Sequence, residues 1–339
     1  MGWCTMISGS LIQPQYKTKG MMKRYGSQGW LWGMLALLTA CTQNVRPLLS
    51  APGEWTHRVA LDGPSRRSAF SFVVDNAAYV GGGTNSSGVA LNDLWIYEPL
   101  KNAWTQRASL PGSARRGAVA FSVNKQGYVT TGLDNSGTPL NDCWAYDPAT
   151  NSWTQRKAFG GSARSHAVAF AIGSKGYVTT GRAETDRKDL WAYNPATDNW
   201  ARKADFGGAA RQGAAVFVID GRAYVGTGNN NQMAQNDLWM YDPATDQWTE
   251  RHKFDKLMPL KSYGVGFAGN SRGYFLLGDG QTNEVWEYNP TADSWAAQTS
   301  FPGGSRHHAV GFSINGKGYV ATGGSGTSVY DDLWEFTMP

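Results

Sequence analysis

The chain has 339 residues, enough for one large all-β domain or two ordinary ones. Aromatic residues reach 13% and glycines number 42, while charged residues stay at 17%; that balance suits short strands and tight turns and argues against a helical protein. The net charge of +5 sits largely at one end, where Lys17, Lys19, Lys23 and Arg24 account for +4 with no acid before Cys41, so the remainder is near +1 and a basic nucleic-acid footprint is excluded.

In chain order, Met21-Met22-Lys23-Arg24 comes first, followed by an apolar run from Trp30 that ends on small residues before Cys41. A basic stretch, an apolar run too short to cross a bilayer and a small-residue end predict a secretory signal. Leu38-Thr39-Ala40-Cys41 resembles the bacterial lipobox, which implies acylation of Cys41 as the mature N-terminus. Thr42 rather than Asp then favours the outer membrane of the cell envelope. Residues before Met21 would make the basic region unusually long, so the start is expected at Met21 or Met22. The expected organisation is a signal segment over 1–40, a lipidated Cys and tether over 41–53, and one repeat domain over 54–339. Of the other cysteines, Cys4 lies in the leader and Cys143 falls where other repeats have Leu or Val. A disulfide framework is not expected, and Cys143 reads as a small buried hydrophobe.

From residue 54 onward, repeats dominate. Trp55, Trp104, Trp153, Trp200, Trp248 and Trp295 recur every 47–49 residues. Each of the last five follows a segment such as Asp93-Leu-Trp-Ile-Tyr-Glu-Pro99 or Asp237-Leu-Trp-Met-Tyr-Asp-Pro243, and the series ends on Asp332-Leu-Trp-Glu-Phe336. Period-2 alternation predicts strands, and Asp-Pro-Ala-Thr-Asn a tight turn. Each unit is therefore a four-stranded antiparallel meander, exemplified in the third repeat by strand a (167–172), b (176–180), c (190–193) and d (200–203). The chain begins on a strand d and ends on a strand c. Pairing 54–61 with the strands of 306–336 removes both free edges and predicts an all-β, six-bladed propeller.

The Tyr before a glycine pair, the Trp-x-Tyr-Asp-Pro segment and the Trp opening strand d closely resemble the kelch repeat. The first glycine of the pair survives only at Gly82 and Gly323; elsewhere the pair reads Thr131-Gly132, Thr180-Gly181, Thr227-Gly228 and Leu277-Gly278. The resemblance implies a β-propeller whose channel mouth is where partners or ligands dock.

Comparing the repeats with one another separates structural from candidate ligand residues. All twelve tryptophans after the leader occupy two repeat positions, which assigns them to the blades. The position before strand a reads Arg66, Arg115, Arg164, Arg211, Lys261 and Arg306; the one before strand c reads Asp93, Asp142, Asp189, Asp237, Glu284 and Asp332. The one Lys and the one Glu share a repeat, which points to an ion pair within each blade. The alternative is a ring of six cations facing an anionic ligand. The next two positions vary, as do the b–c loops on the same face (84–92, 133–141, 182–188, 229–236, 279–283 and 324–331). The mouth thus gathers Arg67, Arg116, His166, Gln212, Tyr263, His307 and His308 with Glu184, Asp186, Arg187, Asn230, Asp279 and Tyr330 as ligand-binding candidates.

Chemistry narrows the use of these residues. His307 and His308 should alternate in direction, leaving one to face inward with His166, so no metal is expected. Kelch-type copper oxidases such as galactose oxidase use a Cys–Tyr cross-link, and Cys143 lies on strand c, far from the axis. No Gly-x-Ser-x-Gly elbow or phosphate-cradling loop occurs, so no cofactor is expected and no catalytic residue is assigned. The expected role is an envelope-anchored, non-catalytic protein recognising a glycan or a protein at the mouth. The alternative follows from a distant resemblance to N-acetylneuraminate epimerase: a mutarotase-like enzyme on an acidic sugar, using Arg67 or Arg116 with His307, His308 or Glu184.

Overall fold

The computed structural model describes residues 52–253, 262–280 and 282–339. Cys41, the leader and Lys261 lie outside the described residues. Leu49–Pro339 forms one compact unit, and its regular elements among the described residues are all β-strands. Six four-stranded antiparallel sheets follow in order, each running a, b, c, d from the axis outward. The third blade consists of Val168–Ile172, Lys175–Thr179, Leu190–Asn194 and Asn199–Lys203. Strand b stops at Thr179 rather than Thr180, because Thr180 turns left-handed at φ 61°.

The ring closes with strands from both ends of the domain. Glu54–Arg58 pairs with Leu333–Thr337 and completes the sheet of Val310–Ile314 and Lys317–Ala321. Gly53, at the end of the expected tether, already packs here: its N–H donates to Gln298 Oε1, and a Cβ there would strike the Phe336 ring. A buried carboxylate latches the closing strand. Glu335 takes Arg58 Nε and Nη2 at 3.1 and 2.9 Å, Lys317 Nζ at 2.6 Å and the Tyr319 hydroxyl at 2.7 Å. Burial alone would raise its carboxyl, but these donors outweigh it and hold Glu335 at about 2.

Within the blades, the repeat positions divide the work. Arg66–Asp93, Arg115–Asp142, Arg164–Asp189 and Arg211–Asp237 are bidentate at 2.5–2.8 Å, and Arg306–Asp332 makes the same fork. All five guanidinium groups are buried, which removes them from any cation ring facing a ligand. Each Nη1 also donates to the carbonyl that ends strand b's turn, at Gly82, Thr131, Thr180, Thr227 or Thr322. The strand c tryptophan donates its Nε1 to the same acid in every blade, including Trp286 to Glu284 at 3.2 Å. The strand d tryptophan instead bonds a backbone carbonyl of the preceding blade, as Trp153 does to Ala108 at 2.8 Å. The turn residue before it is a second inter-blade staple: Asn151 Oδ1 accepts both the Ala108 N–H and the Tyr146 hydroxyl. Cys143 is fully buried in the core cluster that includes Val119, Tyr128 and Val178, and burial pushes its thiol far up, so it is unreactive.

Two stability predictions follow from these contacts. Asp189→Ala leaves the Arg164 guanidinium buried without its acid and should cost about 3–5 kcal/mol in denaturant unfolding; a loss below about 1 kcal/mol would show the pair to be dispensable. A Glu335 carboxyl held near 2 rather than at its ordinary 4.5 favours the folded state by on the order of 3 kcal/mol above pH 4.5. That contribution fades as pH falls toward 2. The stability gap between the native chain and Glu335→Gln should therefore be wide at pH 6 and shrink by pH 3, measured by urea titration at both.

Candidate functional site

The residue after each buried Arg, or its equivalent, is fixed by a two-way backbone bridge to the start of the b–c loop. Arg67 pairs with Thr84, Arg116 with Leu133, Ser165 with Arg182, Gln212 with Asn229 and His307 with Gly324. The d–a connections and b–c loops thus share one face. Two of those loops form short hairpins, Asn229–Asn230 with Met233–Ala234 and Gly324–Ser325 with Ser328–Val329.

The next residue in each blade builds a feature that sequence reasoning missed. Ser68, Gly117, His166, Gly213, Tyr263 and His308 all have left-handed backbones, with φ between 50° and 63°. Each N–H donates to the carbonyl of its counterpart in the preceding blade at 2.8–3.0 Å, and Ser68 donating to His308 closes the circle. The six residues form a continuous hydrogen-bonded collar around the axis. Side chains from three blades fill it. Tyr263 stacks on His308 with centroids 4.1 Å apart, and His166 stands edge-on to each at 5.3 Å. The two collar glycines make room for them: a Cβ on Gly213 would lie 2.6 Å from the Tyr263 ring, and one on Gly117 2.8 Å from His166. No repeat signal marks this collar, because its residues are of four unlike types, Ser, Gly, His and Tyr, while its backbone is the same in every blade.

Above the collar lies a recess of about 480 Å³ lined by Arg67, Ser68, Thr84, Gly88, Arg116, Asn135, His166, His307 and His308. The structure therefore brings together five of the candidate residues: Arg67, Arg116, His166, His307 and His308. Tyr263 supports them from the collar. Gln212 lies apart, Glu184 is exposed on its loop, and Arg187 lines a separate recess with Ser162, Asp189 and Asp205. Tyr330 is committed to the frame, with its ring 4.0 Å from the Arg306 guanidinium. Expected among the ligand-binding candidates at the mouth, it covers a buried cation instead.

The charge of the recess comes from its arginines. Arg116 Nη1 donates to the Asp134 carbonyl at 3.2 Å, and the Arg67 side chain makes no hydrogen bond or ion pair among the described residues. No carboxylate lines the recess. The Asp134 carboxylate is turned into its own loop, where Ser136 and Thr138 donate to it. Burial, then the Arg116 charge, lowers His166 to about 4. Burial, then His166, His307 and Arg67, lowers His308 to about 2. Both imidazoles are neutral at pH 7, between two permanent cations.

His307 and His308 do not diverge as strict alternation implies. The left-handed backbone at His308 breaks the alternation, and the two Nδ1 atoms lie 2.5 Å apart, one donating to the other. Asp279, on the fifth blade's b–c loop, joins them.

Residues 39–208 match the KLHDC2/KLHL20/DRC7 Kelch-repeats domain, and residues 210–251 match the Kelch motif. No curated protein matches the sequence. Among solved structures, one described as "Structure of YjhT" is similar, with a TM-score of 0.69 and 17% identity over 82% of this chain and 96% of that one. At that identity the likeness establishes the fold alone.

Proposed function

This chain belongs to the kelch-repeat family, and on that footing we propose that it is a binding protein that takes a carboxylate-bearing glycan at the recess above the collar. The carrying observation is the pair Arg67 and Arg116 facing a concave space whose lining includes no carboxylate, Asp279 standing at its edge beside His307 and His308. Guanidinium forks match carboxylates bidentately. Thr84, Asn135 and the neutral imidazoles add hydrogen-bonding groups suited to hydroxyls. The volume of about 480 Å³ suits a small ligand or the end of a chain.

Binding is favoured over turnover by the state of the half-buried histidines. A general base works best with a pKa near the operating pH, whereas His166 and His308 are held at about 4 and about 2. Glu184, the carboxylate considered for acid–base chemistry, is exposed on a loop outside the recess. The display of this domain at the cell envelope, through a lipid on Cys41, is part of the same proposal and rests on the leader sequence.

The test of the ligand compares uronate-containing oligosaccharides with their neutral counterparts by calorimetry. Acidic members should bind, and Arg67→Ala or Arg116→Ala should each weaken them by roughly tenfold or more, the value of a lost charge-assisted hydrogen bond. Equal binding of neutral sugars, or unchanged affinity in both variants, would refute the assignment; recovery of an acidic protein segment as sole ligand would replace the glycan. For the anchor, Cys41→Ala should move the protein from the membrane fraction to the soluble one, and an unchanged distribution would exclude acylation there.

A further inference from the structure

Three side chains at the edge of the recess form a cluster to which the carboxylate reading gives no joint role. His307 and His308 come from the sixth blade's d–a connection, and Asp279 from the b–c loop of the fifth. Their ligand atoms all lie within 4.8 Å of one another. We propose that Asp279, His307 and His308 form a site for a divalent transition metal, of which Zn²⁺ is the representative.

The donor set decides the class of cation. Two imidazoles and one carboxylate suit Zn²⁺ and its first-row neighbours, whereas Ca²⁺ and Mg²⁺ prefer oxygen donors throughout. Three protein ligands also match an open site, in which a further position is left for water or ligand. Here that position faces the recess, because His307 and His308 both line it.

Two features of the fold bring the donors together. The left-handed backbone at His308, φ 56°, lets adjacent residues direct their rings to one place. The Asp279 N–H donates to the Ser262 carbonyl at 2.9 Å, which ties the carboxylate's loop to the connection beside the collar. The two Nδ1 atoms now share a hydrogen bond, so a metal would replace that contact rather than create a new pocket. The Arg67 charge acts on His308 and disfavours a second cation, while the Asp279 carboxylate offsets it. The site depends on no glycan and stands apart from the binding reading.

The experiment uses the full chain without a histidine tag. Zn²⁺ alone is titrated by calorimetry, and Co²⁺ is followed by its visible absorption. One equivalent should bind, and Zn²⁺ should displace Co²⁺. Asp279→Asn and His307→Gln leave the collar residue His308 in place and should each weaken binding by more than about tenfold. His57→Gln, on the outer strand of the closing sheet, should change nothing. In the unaltered protein, Zn²⁺ should also protect His307 from diethylpyrocarbonate, mapped by mass spectrometry, which gives an answer even if a variant misfolds. Absence of saturable uptake, uptake unchanged in both variants, or an unprotected His307 would each overturn the site.

Discussion

Removing a charged guanidinium from water is costly, and this propeller does it once per blade in at least five of its six blades. The cost is offset because each arginine is satisfied several times over: by a forked carboxylate, by the carbonyl beyond strand b, and in most blades by a carbonyl two residues back. The backbone carbonyl of the same arginine accepts from a glycine of the preceding blade, as Gly132 donates to Arg164 at 2.8 Å. One residue thus locks its own blade through its side chain and the neighbouring blade through its main chain. The strand c tryptophan completes the arrangement by saturating the acid.

Everything at the mouth follows from that lock. With the arginine fixed, the next residue is held in a bridge and the one after it in the collar, and both are free to vary in side chain. The frame is strong enough to hold residues in conformations they disfavour. Thr131, Thr180, Thr227 and Thr322 sit at φ 61–64° with buried hydroxyls that find no partner among the described residues. A β-branched residue there is strained, and glycine is its natural occupant. The scaffold absorbs this because the neighbouring hydrogen bonds leave the backbone no other course.

The sequence made the scaffold legible and the site only partly so. Period, tryptophan spacing and the unpaired strand at each end announce six blades and their closure, because those features repeat or complement one another. The shared exception of Lys261 and Glu284 points to an ion pair within each blade, and the five Arg–Asp pairs are formed, while Lys261 lies outside the described residues. Three things stayed hidden for physical reasons. The collar depends on hydrogen bonds between blades, which leave no periodic side-chain trace. The convergence of His307 and His308 depends on a left-handed residue, which period-2 reasoning excludes. The role of Tyr330 depends on a cation buried in another part of its own blade. Glu335 stands where four other blades have Ile96, Ala145, Ala192 or Met240 and the fifth has Glu287. A charge in place of an apolar residue was the available signal for the latch.

That latch joins residues 277 positions apart. The entropy cost of closing so long a loop grows only with the logarithm of its length, so the distance matters less for stability than for the order in which contacts can form. The five blades made of consecutive strands can assemble locally as the chain emerges, whereas the last sheet waits for both ends. Folding is therefore a process with a defined final step, and the order of synthesis sets its timing: until residue 335 is available, Arg58 has no acid to meet and the ring stays open. A propeller closed in this way is governed as much by when its ends meet as by how tightly they hold.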